Sequence, residues 1–220
     1  VNRMISKFSM SLLLMSSVVA LENGLGLTPQ MGWNSWNQFA CDISEDTIKQ
    51  AADKIVDLGL DKLGYNYVNI DDCWMLADRS ADGHMQPDPV TFPNGMRTVG
   101  DYIHSLGLKY GIYSSAGTLT CQERAASLDF EEVDALDWAS WGVDYLKYDN
   151  CFNQGRDAEE RYTRMRDALN ATGRPIFYSI CNWGASRVAL WGNLTGNSWR
   201  TTKDISNSWL SMKTNLLRNQ

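Results

Sequence analysis

Histidine is almost missing from this chain: His84 and His104 are the only two in 220 residues. That argues against a metal centre built on several imidazole ligands. His104 falls in a helical pattern and His84 in a loop, and both are expected at the surface. Excess positive charge is missing too. The 26 acidic and 20 basic residues leave a net charge of −6, which argues against nucleic acid and anionic membrane as partners. No GxGxxG or GxxxxGK[ST] opens a helix, which disfavours a nucleotide-binding open sheet. No GxSxG elbow is present, which disfavours a Ser-His-Asp hydrolase. No apolar run spans a bilayer. Residues 8–19 are apolar but short, follow Arg3 and Lys7, and end in Val18-Val19-Ala20. That is the pattern of a secretory signal peptide over residues 1–20.

What the chain has in quantity is aromatic: nine Trp and nine Tyr. Flat rings can be core, and they also pack well against the apolar face of a pyranose. There are five cysteines, at 41, 73, 121, 151 and 181. Secretion permits disulfides, and an odd count leaves at least one thiol over. Asn170-Ala-Thr and Asn193-Leu-Thr are glycosylation sequons, which have a mechanism only in a secreted chain.

From residue 21 onward, strand and helix patterns alternate. Strands are predicted at 28–33, 65–70, 108–114, 143–149, 175–181 and 198–202. Helices are predicted at 44–58, 96–106, 130–140, 157–170 and 205–217. In the first helix, Ser44 is the expected cap and Ile48, Ala52, Ile55 and Leu58 the buried stripe. Six β-then-α units at ~33 residues each suit a parallel α/β fold with right-handed crossovers. A (β/α)8 TIM barrel needs about 250 residues. The expectation is therefore a TIM barrel truncated after about six units, spanning 21–220.

The segment VDYLKYDNC, residues 143–151, carries the chemistry. Lys147 and Asp149 are two residues apart on a strand and share a face. Unpaired charges are rarely buried, so the pair is expected to line a cavity. Two further strands end in carboxylates, at Asp71-Asp72 and at Lys203-Asp204. In a parallel barrel all these ends converge on one mouth, together with Arg200. An acidic cluster could hold a hard cation, but Lys147 and Arg200 would compete with it. Paired carboxylates with aromatic platforms suit glycoside hydrolysis, one ionised and one protonated. A cationic neighbour suits Asp149 to the ionised role.

Six segments then carry a resemblance: MGWNSW (31–36), NIDDCW (69–74), GIYSSAG (111–117), YLKYDNC (145–151), YSICNWG (178–184) and SWRTTKD (198–204). In order and spacing they resemble the strand-end motifs of glycoside hydrolase family 27, and within it the fungal and yeast α-galactosidases (melibiases). The resemblance implies a retaining double displacement with Asp149 as nucleophile and Asp204 as acid/base, their carboxyls roughly 5–5.5 Å apart. Asp71 and Asp72 would take the 4- and 6-hydroxyls of galactose, Lys147 the 3- and 4-hydroxyls, and Arg200 the 2-hydroxyl. Trp36 would pack on the sugar face and Tyr113 would line the pocket. Cys181 and Trp183 would fill the space beside carbon 2 and exclude an acetamide. Disulfides Cys41–Cys73 and Cys121–Cys151 are implied, leaving Cys181 as a free thiol in the pocket. No metal or cofactor is implied; the partner is an α-galactoside.

The alternatives are an α-N-acetylgalactosaminidase and a non-catalytic galactose-binding relative. The run Gln122-Glu123-Arg124-Ala125-Ala126 departs from the family's Gly/Pro-rich turn, and it is expected to touch no site residue. The family barrel continues for two more strand–helix units and then a β-sandwich, both beyond residue 220. The stretch alone is expected to be poorly soluble or inactive, because unclosed barrel edges are exposed.

Overall fold

The computed structural model describes residues 23–219; the expected signal peptide lies outside the described residues. One sheet of six parallel strands follows chain order: β1 (Met31–Asn34), β2 (Tyr65–Asn69), β3 (Lys109–Ser115), β4 (Tyr145–Asp149), β5 (Phe177–Ile180) and β6 (Ser198–Trp199). Each strand pairs only with its sequence neighbours. A doubly wound sheet reverses its order at a switch point; this one does not, so it is a curled, incomplete (β/α) barrel. The intervening helices are α1 (Trp36–Phe39), α2 (Glu45–Asp57), α3 (Gly95–Ser105), α4 (Glu131–Ser140), α5 (Ala158–Ala171), α6 (Gly192–Thr195) and α7 (Trp209–Arg218).

The period-two strand pattern sorts side chains onto two faces. Ile112, Leu146, Tyr148, Tyr178 and Ile180 point to the helices. They share the main core with Ile48 and Ile55 of α2, Val99 and Ile103 of α3, Trp138 of α4 and Tyr162 and Met165 of α5. On the concave face Tyr67, Tyr145 and Phe177 form a separate floor, with Tyr145 and Phe177 stacked 5.2 Å apart. Lys147 and Asp149 rise from that floor on the same face as Tyr145. Gly111 sits between Asn69 and Tyr145 in the register. A Cβ there would run into the Asn69 side chain, so glycine makes room inside the barrel.

Ser44 caps α2 as predicted, its Oγ accepting from the Thr47 amide at 3.2 Å. Ile48, Ala52 and Ile55 are buried, but Leu58 is 69% exposed; it lies past the last turn, so it leaves the stripe. Boundaries move elsewhere. β1 begins at Met31 rather than at 28, β6 holds only Ser198–Trp199, and α7 starts at Trp209 rather than at 205. The short helices α1 and α6 have no sequence counterpart among the predictions, because four residues cannot display a 3.6-residue period.

Candidate active site

The concave mouth holds a cavity of about 720 Å³ lined by Trp36, Asp71, Asp72, Tyr113, Lys147, Asp149, Trp183, Arg200 and Asp204. Strand ends supply Asp71, Asp72, Lys147 and Asp149, while loops after β5 and β6 supply the last three. Cys181 is not among the lining groups. It is buried behind Arg200, whose Nη1 reaches its Sγ at 3.5 Å. Burial, reinforced by the Asp149 charge, pushes its thiol up to about 12.

Asp149 is 6% exposed. Its Oδ1 accepts from the Trp183 indole N–H at 2.9 Å and from the Asn150 amide at 2.9 Å. Its Oδ2 accepts from the Tyr113 hydroxyl at 3.1 Å. Bonds to an ionised acceptor are about twice as strong as neutral ones, so the carboxylate is firmly aimed. Burial first, and then the charges of Asp149, Asp72 and Asp71, drive the Tyr113 phenol far above its ordinary range. It therefore remains a donor.

Lys147 Nζ meets Asp71 Oδ2 at 2.7 Å, with the Lys147 side chain 25% and the Asp71 side chain 2% exposed. Asn34 Nδ2 donates to the same oxygen at 2.8 Å. Burial pushes the Lys147 ammonium down, but Asp71 and the other acidic groups more than offset this, and it titrates above the ordinary lysine value. Asp72 accepts from the Cys73 amide at 2.8 Å and from the Gln122 amide at 3.0 Å. Burial raises its carboxyl above the usual range despite these donors. The Gln122 bond corrects an expectation: the departing loop does touch a site residue, through its backbone.

Cys41 is joined to Cys73 and Cys121 to Cys151, and Cys181 is free. Each bridge fastens a loop beside a carboxylate: Cys73 follows Asp72, and Cys121 precedes the Gln122 amide. Cys121, Asp149 and Cys151 lie close enough to resemble a metal cluster. Both sulfurs are spent in the bridge, so they offer no thiolate ligand. The histidines sit elsewhere, His84 against Asp137 at 2.7 Å and His104 against Asp144 at 2.7 Å.

The β6 side is built differently. Arg200 Nη1 contacts Asp204 Oδ1 at 2.6 Å, and Asp204 is 87% exposed. An adjoining apolar groove of about 710 Å³ is lined by Ile205, Trp209, Met212 and Leu216 of the α7 region, among others, and holds no carboxylate. Sequence reading missed Asn34 and Asn37; the latter lines the cavity. Both are neutral polar residues near a strand end, and only their place inside MGWNSWN marks them.

Comparisons with known proteins agree with this geometry. A family model described as "Alpha galactosidase A" matches residues 28–218. "Alpha-galactosidase 3" of Arabidopsis thaliana is 60% identical over 195 residues, 88% of this chain and 44% of that protein. An alpha-galactosidase of Schizosaccharomyces pombe is 52% identical, across 88% of this chain and 46% of its own length. Among solved structures, an alpha-galactosidase from Saccharomyces cerevisiae with raffinose superposes with a TM-score of 0.84 at 49% identity, covering 86% of this chain and 43% of that one. The chain thus spans less than half the length of these relatives.

Proposed function

The chain belongs to the alpha-galactosidase family of glycoside hydrolases, and from that premise we propose that it forms the nucleophile-bearing half of a retaining exo-α-galactosidase. The longer polypeptide would remove terminal non-reducing α-D-galactosyl units from galacto-oligosaccharides or galactomannan. One observation carries the proposal: Asp149 and Asp204 line the same cavity, with the Asp149 oxygens held by three donors.

In the first step an Asp149 oxygen attacks the anomeric carbon as the glycosidic C–O bond breaks, and Asp204 gives its proton to the departing oxygen. In the second step Asp204 takes a proton from water, whose oxygen displaces Asp149 from the anomeric carbon. Two inversions return the original configuration. Lys147 and Asp71, fixed on one another, present a donor and an acceptor to neighbouring hydroxyls, and Asp72 presents a second acceptor. Arg200 lies over Cys181, beside the position of the 2-hydroxyl, while Trp183 occupies volume that an acetamide would need. Trp36 adds flat surface, while the buried Tyr113 ring lies under the Lys147 ammonium.

A general acid works best where water is excluded. At 87% exposure, Asp204 would need shelter from water to act as that acid. Secretion is proposed on three grounds: the N-terminal pattern at residues 1–20, the two disulfides, and the exposed sequon asparagines Asn170 and Asn193.

The test is hydrolysis of an aryl α-galactoside by the longer polypeptide, with the product anomer read by NMR. The expected first-formed product is α-galactose, and Asp149→Asn should abolish turnover while sparing galactose binding. A β-configured first product would overturn the double displacement. Equal rates on the aryl α-N-acetylgalactosaminide would overturn the role of Trp183 in excluding an acetamide.

A further inference from the structure

Trp183 has a contact that bulk alone does not explain. A carboxylate offers about four acceptor positions, two on each oxygen. On Asp149, Oδ1 has both filled, by the Trp183 indole N–H at 2.9 Å and the Asn150 amide at 2.9 Å. Oδ2 has one filled, by the Tyr113 hydroxyl at 3.1 Å. The free lone pair is on Oδ2.

The backbone is arranged to deliver that indole. Trp183 has φ of 61°, in the left-handed region, which a bulky residue adopts at a cost. The next residue, Gly184, has φ of 73°, and a Cβ on it would strike the Thr201 carbonyl oxygen. The loop after β5 therefore lies directly on the backbone that leads to Asp204. A substitution at Gly184 would lift both together.

We propose that Trp183 is a positioning residue for the nucleophile: its N–H completes the occupancy of Asp149 Oδ1, which leaves Oδ2 as the attacking atom. This rests on the double-displacement reading and adds a role separate from excluding an acetamide. The second role belongs to the indole's volume, the first to one hydrogen atom, so the two separate experimentally.

The experiment uses the longer polypeptide and 5-fluoro-α-D-galactosyl fluoride, which traps a glycosyl-enzyme. Two replacements of Trp183 are compared with the parent. Trp183→Phe removes the donor and shrinks the ring. Incorporation of β-(3-benzothienyl)alanine keeps the bicyclic shape and removes only the donor. The labelling rate constant is expected to fall about ten- to a hundredfold in both, the loss of one hydrogen bond to a charged group. Galactose affinity should stay within about threefold in the benzothienyl protein. Failure of the parent to label at Asp149 would overturn the double displacement itself. Labelling of the parent with an unchanged rate in the benzothienyl protein would overturn the positioning role alone. Parallel loss of labelling, galactose binding and melting temperature in the benzothienyl protein would also overturn it, because a purely structural indole behaves that way.

Discussion

The two rims of the cavity differ in how they hold their charges. On the β2–β4 rim, Asp71, Asp72 and Asp149 are 2%, 1% and 6% exposed. Each has an oxygen committed to a named donor. On the β6 rim, Asp204 is 87% exposed, and its ion-pair partner among the described residues is Arg200. The chemistry is the same, carboxylate and cation, so the difference lies in what stands on either side. β4 is hydrogen-bonded to β3 and β5, whereas β6 has β5 on one side and no second neighbour among the described residues. A side chain is aimed by packing on both flanks. The α7 region shows the same lack, with Ile205, Trp209, Leu210 and Leu216 all more than 60% exposed. The proposed nucleophile, Asp149, is thus packed and hydrogen-bonded on both flanks, whereas the proposed acid/base, Asp204, stands exposed among the described residues.

The sharpest break between the rims should appear in turnover by the longer polypeptide. Asp149→Asn removes the carboxylate proposed to attack, so the rate should fall at least about a thousandfold on every substrate, roughly 4 kcal/mol of barrier. Asp204→Asn should depend on the leaving group. A dinitrophenyl galactoside needs little protonation and should still galactosylate the enzyme, and azide, which needs no base, should then restore release. Equal, leaving-group-independent losses in both variants would erase the distinction. Next comes stability. Lys147→Met leaves the Asp71 carboxylate buried without its cation, a loss expected at about 3–5 kcal/mol. Arg200→Met breaks a pair whose Asp204 partner is 87% exposed, worth about 0–1 kcal/mol. Denaturant unfolding of the two variants measures both; an Arg200 effect as large as that of Lys147 would mean that the rims are equally built.

How legible the rims were in sequence follows the same division. VDYLKYDNC stood out because a charged pair at period two closes an apolar strand, and that pattern survives into the structure almost residue for residue. The carboxylates after β2 were legible because they directly follow the apolar run that ends at Ile70. β6 was drawn too long, to residue 202, because Thr201 and Thr202 have good strand propensity, and propensity yields where no second strand pairs. The disulfide pairs came only from the family resemblance, since spacing alone leaves several connectivities open. The Asn34 contact to Asp71 and the Gln122 amide on Asp72 were invisible. The first is a neutral side chain, and the second is backbone, which has no sequence signature. Cys181 was expected in the pocket and stands behind it, since its strand-end position fixes the direction of the side chain but not how far Arg200 covers it.

Cys181 offers a smaller test on the buried side. With its thiol pushed up to about 12, only about one part in ten thousand is thiolate near pH 8, and it is also inaccessible. Iodoacetamide near that pH should leave Cys181 unlabelled in the native protein and label it after denaturation. Native labelling would place Arg200 away from the sulfur and open the layer behind the cavity.

The smallest effect tests whether α7 really lacks a neighbour. Met165 of α5 is fully buried, while Leu216 of α7 is 66% exposed. In this chain alone, Leu216→Glu should change unfolding stability by no more than about 0.5 kcal/mol, and it should improve solubility by breaking up an apolar patch. In the longer polypeptide the same change should cost several times more, because a charge would be forced under whatever covers the helix. The contrast between the two measurements matters more than either value. A substitution that is neutral in both would mean that α7 stays bare, and Asp204 would then need another source of shelter. A substitution that is costly in both would mean that α7 already packs within this chain, and the difference between the rims would have to be sought in β6 alone.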